Sequence, residues 1–211
     1  MDNLKKFLSN RRPRINFEEV YTVSAVLLPI IEANGEPHVL FEVRASRLKR
    51  QPGEICFPGG RVEQNEIAWP QETAVREATE ELGVARDQVE LIGPLDYFVN
   101  PLGTLVYPFV GKIHGYSGIV PNPHEVEEIF LVPVGYFFEK HFSRSSYEVA
   151  TRYAQDFPFD RIPPSYKRGW QTMGSFPVYF YEYGNRFIWG LTAGILHNFI
   201  SLCRPEWLIK S

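Results

Sequence analysis

Hydrophobic and polar positions along the chain change period several times, and each change marks an element. Val20–Ile31 and Val39–Val43 are apolar runs flanking Asn34-Gly35, the dipeptide that favours a two-residue β-hairpin turn. Glu90–Val99 and Leu105–Ile113 read as further strands around the turn Asn100-Pro101-Leu102-Gly103. Pro108 lies inside the second of these and cannot donate to a ladder, so it predicts an edge position or a bulge. Glu127–Val134 reads as a strand, and Tyr136–Lys140 as the start of a helix. Val178–Tyr183 and Phe187–Trp189 flank Gly184-Asn185 as another hairpin. Leu191–Leu202 then forms a core helix, with Leu191, Ile195, Phe199 and Leu202 on one side.

Two stretches have a helical period of particular interest. Ala74, Val75, Ala78 and Leu82 make an apolar stripe, with Pro70 suited to the first turn and Gly83 to the residue that ends the helix. Leu4, Phe7 and Leu8 suggest a short amphipathic helix docked on the body. It precedes the basic linker Arg11-Arg12-Pro13-Arg14. Residues 142–176 follow no period and are interrupted by Pro158, Pro163 and Pro164. They read as a long loop, of the kind that serves as a lid, an oligomer contact or a plain surface excursion. Helices flanking a mixed sheet predict an α/β/α sandwich.

Opposite the apolar stripe of the 70–82 helix stand Glu77, Glu80 and Glu81, related by three and four residues. This spacing brings their carboxylates together beside the helix. Such carboxylates repel one another and have raised pKa values unless a cation sits among them. Hard oxygen donors suit Mg²⁺ or Mn²⁺, and these in turn suit a phosphorylated substrate. A solvated surface helix accounts for a Glu-Glu pair equally well when the helix is considered alone.

The neighbouring residues carry a resemblance. Arg76-Glu77-Ala78-Thr79-Glu80-Glu81-Leu82-Gly83-Val84, with Gly60 as the opening glycine, resembles the Nudix hydrolase box. Glu66 follows Gly60 after five residues, but nine residues rather than seven separate it from Arg76. Its identity as the first glutamate of the box is therefore open. A lengthened box is similar to that of the coenzyme A pyrophosphatase branch. The stretch from Leu40 to Gly60 also resembles that branch, keeping its spacing from Arg44 to Phe57-Pro58-Gly59-Gly60. It departs where Glu42 stands for Thr and Lys49 for Arg. Phe187–Gly194 is similar to the branch's closing helix.

The resemblance implies an α/β/α sandwich and roles for several residues. Glu77 and Glu81 are the implied metal ligands, with Glu80 a further ligand or a water-orienting base and the Gly60 carbonyl an added donor. Arg76 is placed to orient a glutamate by charge-assisted hydrogen bonding. Glu125, in His124-Glu125-Val126-Glu127-Glu128, lies where many such enzymes supply a catalytic base, although a glutamate in a loop is commonly just solvated. Arg44, Arg47, Lys49, Arg50 and Arg61 put positive charge near the box. A patch of this kind fits a substrate with both a pyrophosphate and a separate phosphate, as coenzyme A has. The implied reaction is hydrolysis of coenzyme A or an acyl derivative to adenosine 3′,5′-bisphosphate and (acyl-)4′-phosphopantetheine. ADP-ribose, a dinucleotide or a nucleoside triphosphate is the alternative substrate, and a non-catalytic nucleotide sensor the alternative function.

Composition fits this reading. The 211 residues, 44% hydrophobic, suffice for one core, with residues 1–19 as appendage and linker and 20–211 as a single domain. A net charge of −3 gives no general attraction for nucleic acid. No apolar run reaches the roughly 20 residues that span a bilayer. Met1–Asn10 lacks the apolar segment of a signal peptide. Two cysteines, Cys56 and Cys203, offer no disulfide framework and point to a reducing, cytoplasmic setting, with Cys56 read as a small buried filler. A homodimer is a common state for such enzymes, but no interface is legible.

Overall fold

The computed structural model describes residues 1–11, 20–63, 66–139 and 142–208. The expected first hairpin forms: β1 (Thr22–Ala33) pairs antiparallel with β2 (Glu36–Arg44) across Asn34 and Gly35. Both turn residues have positive φ, 53° and 82°, the tight turn that this dipeptide favours. Next come the short strands β3 (Ile55–Cys56) and β4 (Gly59–Arg61), the helix α2 (Pro70–Leu82), then β5 (Val89–Pro94), β6 (Phe98–Asn100) and β7 (Thr104–Ile113). They are followed by β8 (Val126–Pro133) and α3 (Val134–Phe138). Among the described residues eight of the strands share one sheet, in which β1 runs parallel to β7 and antiparallel to β2 and β4.

Alternation along the central strands builds two cores, one on each face. Val23, Ala25, Leu27 and Ile31 of β1 and Leu40 of β2 pack with Ala74, Val75, Ala78 and Leu82 of α2. Leu28, Ile30, Val39 and Phe41 face the other way, toward Val134 and Phe137 of α3 and the C-terminal helix α4 (Gly190–Leu202). The architecture is therefore the expected mixed sheet between helices. Burying a large aliphatic side chain such as Leu82 contributes about 1.5–3 kcal/mol, which ties α2 firmly to the sheet.

Several expectations need correction. The helix α1 (Asp2–Ser9) forms, but it is not docked: none of its residues is buried, and Leu4, Phe7 and Leu8 are each more than half exposed. Amphipathic spacing defines a face without supplying a partner for it. Arg12, Pro13 and Arg14 of the basic linker lie outside the described residues. Pro108 is not on an edge, because β7 has β1 on one side and β5 and β6 on the other. It sits where β5 gives way to β6, so its missing N–H breaks no ladder bond, while its carbonyl still accepts from Leu95 N–H at 2.9 Å. On α4 the buried residues are Thr192, Ala193, Ile195, Leu196 and Phe199, and Leu202 is half exposed.

The 142–176 segment is only partly a loop. β9 (Phe142–Thr151) pairs antiparallel with β10 (Gln171–Tyr183), which continues through a hairpin to β11 (Arg186–Trp189). β9 is mostly exposed, and its alternation is confined to the half-buried Tyr147 and Val149. Its pairing to β10 alone makes it a strand.

Candidate active site

Helix α2 presents its acidic face to the glycine turn that precedes it. Gly60 pairs with Ala25 of β1, and its backbone passes so close to α2 that a Cβ there would lie 2.2 Å from Glu77 Oε1. Only glycine fits. One residue earlier, Gly59 N–H donates to Glu81 Oε2 at 2.8 Å. At the other end of the helix, Gly83 caps it through a hydrogen bond to the Thr79 carbonyl. The loop before β8 is tied on as well: Asn122 N–H donates to the Glu81 carbonyl at 2.8 Å, and Ala45 N–H to the Glu125 carbonyl at 2.8 Å. β2, α2 and the loop before β8 thus meet at one place.

The three box glutamates do not all converge. Arg76 draws two of them, with Nη1 3.0 Å from Glu77 Oε1 and 3.3 Å from Glu80 Oε2. Glu80 lies one turn beyond Arg76 and its side chain is 55% exposed, so it leans to the solvent side. Glu81 is turned inward and only 6% exposed. Among the described residues no three His, Cys, Asp or Glu side chains are gathered closely enough to cage an ion by themselves. Arg76 engages the Glu77 and Glu80 carboxylates instead.

Glu66, left open by the length of the box, is also held by Arg76. Its carboxylate accepts from Arg76 Nε at 3.3 Å and Nη2 at 3.4 Å, and from Thr73 Oγ1 at 2.8 Å. A tight turn from Glu66 to Trp69, closed by Trp69 N–H on the Glu66 carbonyl at 2.7 Å, leads straight into Pro70. That turn brings Glu66 back over the first part of α2. These hydrogen bonds hold Glu66 below the usual carboxylate range, and Glu66 in turn raises the pKa of Arg76.

The inner carboxylates behave oppositely. Burial is the first cause that pushes Glu81 up to about 8, partly countered by the Gly59 hydrogen bond and reinforced by Glu77 and Glu125. Burial likewise raises Glu77, against the pull of Arg76. Glu125 is half-buried and acts on Glu42, Glu77 and Glu81 together, so this candidate base lies beside the cluster. His124 is exposed. Glu42 is a member that the residue pattern did not single out. It lies on β2 on the α2 face, 1% exposed, with its side chain hydrogen-bonded to Glu81. One acid in the apolar run Val39–Val43 was the available signal.

The basic candidates separate in the fold. Arg44 reaches into the cluster, where its charge acts on Glu42, Glu81 and Cys56. Arg47 is exposed and hydrogen-bonds the Pro123 carbonyl, bracing the loop that carries Glu125. Lys49, Arg50 and Arg61 are exposed. Burial and the neighbouring Glu42 push the Cys56 thiol up, which makes it inert as expected of a filler. An open pocket of about 310 Å³ lies nearby, lined by Val43, Gly53, Ile55, Arg186, Phe187 and Trp189 among others.

A helix of this kind over a glycine turn is matched by one family model: residues 20–151 align with the NUDIX domain. The chain belongs to the Nudix family. It is 41% identical over 116 residues to the peroxisomal coenzyme A diphosphatase NUDT7 of Mus musculus, covering 54% of this chain and 48% of that protein. The chain thus spans about half the length of that relative. It is 35% identical over 180 residues to the uncharacterized Nudix hydrolase NudL of Photorhabdus laumondii, covering 83% of this chain and 81% of the relative. The peroxisomal coenzyme A diphosphatase ndx-8 of Caenorhabditis elegans is 31% identical over 167 residues, covering 78% of this chain and 71% of the relative. This Nudix protein is accordingly a hydrolase of the pyrophosphohydrolase type. Among its described residues no helix is long and apolar enough to cross a membrane.

Proposed function

We propose that this Nudix hydrolase cleaves the pyrophosphate bond of coenzyme A or an acyl-coenzyme A with the help of Mg²⁺ or Mn²⁺. The products are adenosine 3′,5′-bisphosphate and 4′-phosphopantetheine or its acylated form. The observation that carries the reading is the half-buried Glu77 and the buried Glu81 on the face of α2 that meets the Gly59-Gly60 turn. Their donors are all hard oxygens, which fits these cations. Glu77, Glu81 and the Gly60 carbonyl would hold the cation. When bound, it neutralises the phosphate oxygens, stabilises the leaving phosphate and acidifies the attacking water.

The protein's own groups do the rest. Arg76 positions Glu77, and Glu66 with Thr73 fixes Arg76. Glu80 stands at the exposed rim as a further ligand or water-orienting group. Glu125, close enough to act on the inner carboxylates, takes the proton of the attacking water. Arg44, Arg47, Lys49 and Arg50 bind the substrate's phosphates from β2 and the turn after it. The reading of coenzyme A is supported by the names of the mouse and worm relatives, which also make peroxisomes, besides the cytoplasm, a compartment to examine by fluorescent tagging.

Glu42 and Lys49, at the two departures from the coenzyme A motif, favour a second reading with another nucleoside diphosphate. Incubation with coenzyme A, ADP-ribose and nucleoside triphosphates, with and without Mg²⁺ or Mn²⁺, separates them by product mass. Metal-dependent release of adenosine 3′,5′-bisphosphate is expected. Turnover of another substrate alone would overturn the coenzyme A reading.

A further inference from the structure

The strand β9 ends its sheet without protection. In the three-stranded sheet ordered β11-β10-β9 it pairs with β10 and, among the described residues, with no strand on its other side. Its ten residues, Phe142–Thr151, are mostly exposed. A row of backbone N–H and C=O groups therefore faces outward, which is a template for another strand. Natural edges are commonly blunted by brevity, proline or lysine. β9 is long and contains neither residue.

The strand carries two charges of opposite sign, Arg144 and Glu148, both exposed. Their even spacing puts them on one face, with Ser146 midway between them. A second β9 laid antiparallel alongside, with Ser146 on the twofold axis, brings Arg144 of each copy opposite Glu148 of the other. The pair occurs twice, as an isologous contact requires. Any other antiparallel register separates the two charges, and a parallel in-register pair sets like against like. On the other face, the half-buried Tyr147 becomes the diagonal neighbour of Tyr147 in the second copy, within reach of its ring. The strand is thus complementary to itself at a single register.

We propose that β9 is a self-association edge. Two copies of this chain join β9 to β9, antiparallel about Ser146, and merge their three-stranded sheets into one. The inference involves neither the glutamates of α2 nor the choice of substrate.

Sedimentation equilibrium of the full chain over a dilution series tests it. Wild type is expected to dimerise. Glu148→Arg turns both cross-strand pairs from attractive to repulsive and should raise the dimer Kd by about tenfold or more. Adding Arg144→Glu to Glu148→Arg exchanges the charges and should restore the wild-type Kd. Ser146→Cys reads the register directly: residues opposite each other in antiparallel strands have Cα atoms about 4.5–5.5 Å apart, within disulfide range. On mild oxidation Ser146→Cys should run as a covalent dimer on a non-reducing gel, and wild type should not. A monomeric wild type at every dilution would overturn the proposal. So would a dimer whose Kd is unchanged by Glu148→Arg, or one that the charge exchange fails to restore. Where circular dichroism shows a charge variant unfolded, Ser146→Cys decides alone, and its failure to cross-link would overturn the register.

Discussion

The two sides of α2 hold acids under opposite conditions. On the outer side Glu66 and Glu80 share Arg76, and charge there is matched and partly open to solvent. On the inner side Glu81 and Glu42 are buried beside Glu77 and Glu125, with Arg44 the cation acting on them from the same strand as Glu42. Matched acids brace a structure. Unmatched, buried acids tax it, and they are retained where a ligand supplies the missing charge. The contrast underlies the proposal that the outer network holds the helix in place and the inner one serves the chemistry.

The largest expected break in this contrast is Glu81→Gln. Loss of an inner ligand should lower metal-dependent turnover on the order of a thousandfold, while the circular dichroism spectrum stays that of wild type. The outer Glu80→Gln should cost far less in the same assay. Next comes pH. Glu81 has a folded-state pKa of about 8 against an ordinary 4.5, so between those values the folded protein binds more protons than the unfolded chain. Stability of the metal-free protein should therefore fall as pH rises through that window, by on the order of 4–5 kcal/mol. Urea unfolding at either end of the window reads this, and Glu81→Gln should flatten the slope.

Smaller effects come from the outer network. Glu66→Ala removes one of the acids that hold Arg76, besides Glu77 and Glu80, and the acceptor of Thr73, and should lower stability by ~1–2 kcal/mol in urea. Its effect on turnover should be modest beside that of Glu81→Gln. The smallest change is expected at the exposed Lys49 and Arg50. Lys49→Ala or Arg50→Ala should raise KM for coenzyme A by about fivefold or less, because exposed charges contribute roughly 1 kcal/mol or less, with kcat unchanged.

Helix α2 was legible in the residues themselves because its signals agree: Pro70 at one end, Gly83 at the other and a stripe of Ala74, Val75, Ala78 and Leu82 between. The first hairpin was legible for the same reason, in Asn34-Gly35. β9 was not, since a mostly exposed strand whose alternation is limited to Tyr147 and Val149 is defined by the partner to which it hydrogen-bonds rather than by its own pattern. The docking of α1 failed because Leu4, Phe7 and Leu8 describe an apolar face and nothing about what meets it. At the site, spacing placed Glu77, Glu80 and Glu81 on one side of the helix. It could not show that Arg76 divides them, since i+4 geometry fixes where a side chain starts and not which cation it finds. Glu42 required tertiary structure, because only the packing of β2 against α2 brings it to Glu81.

The most direct test of the central claim is anomalous diffraction from crystals soaked in Mn²⁺. A peak is expected between Glu77, Glu81 and the Gly60 carbonyl, on the inner side of α2. A peak confined to the outer side at Glu80 and Glu66, or none at all, would contradict the division of the helix into a bracing side and a reactive one.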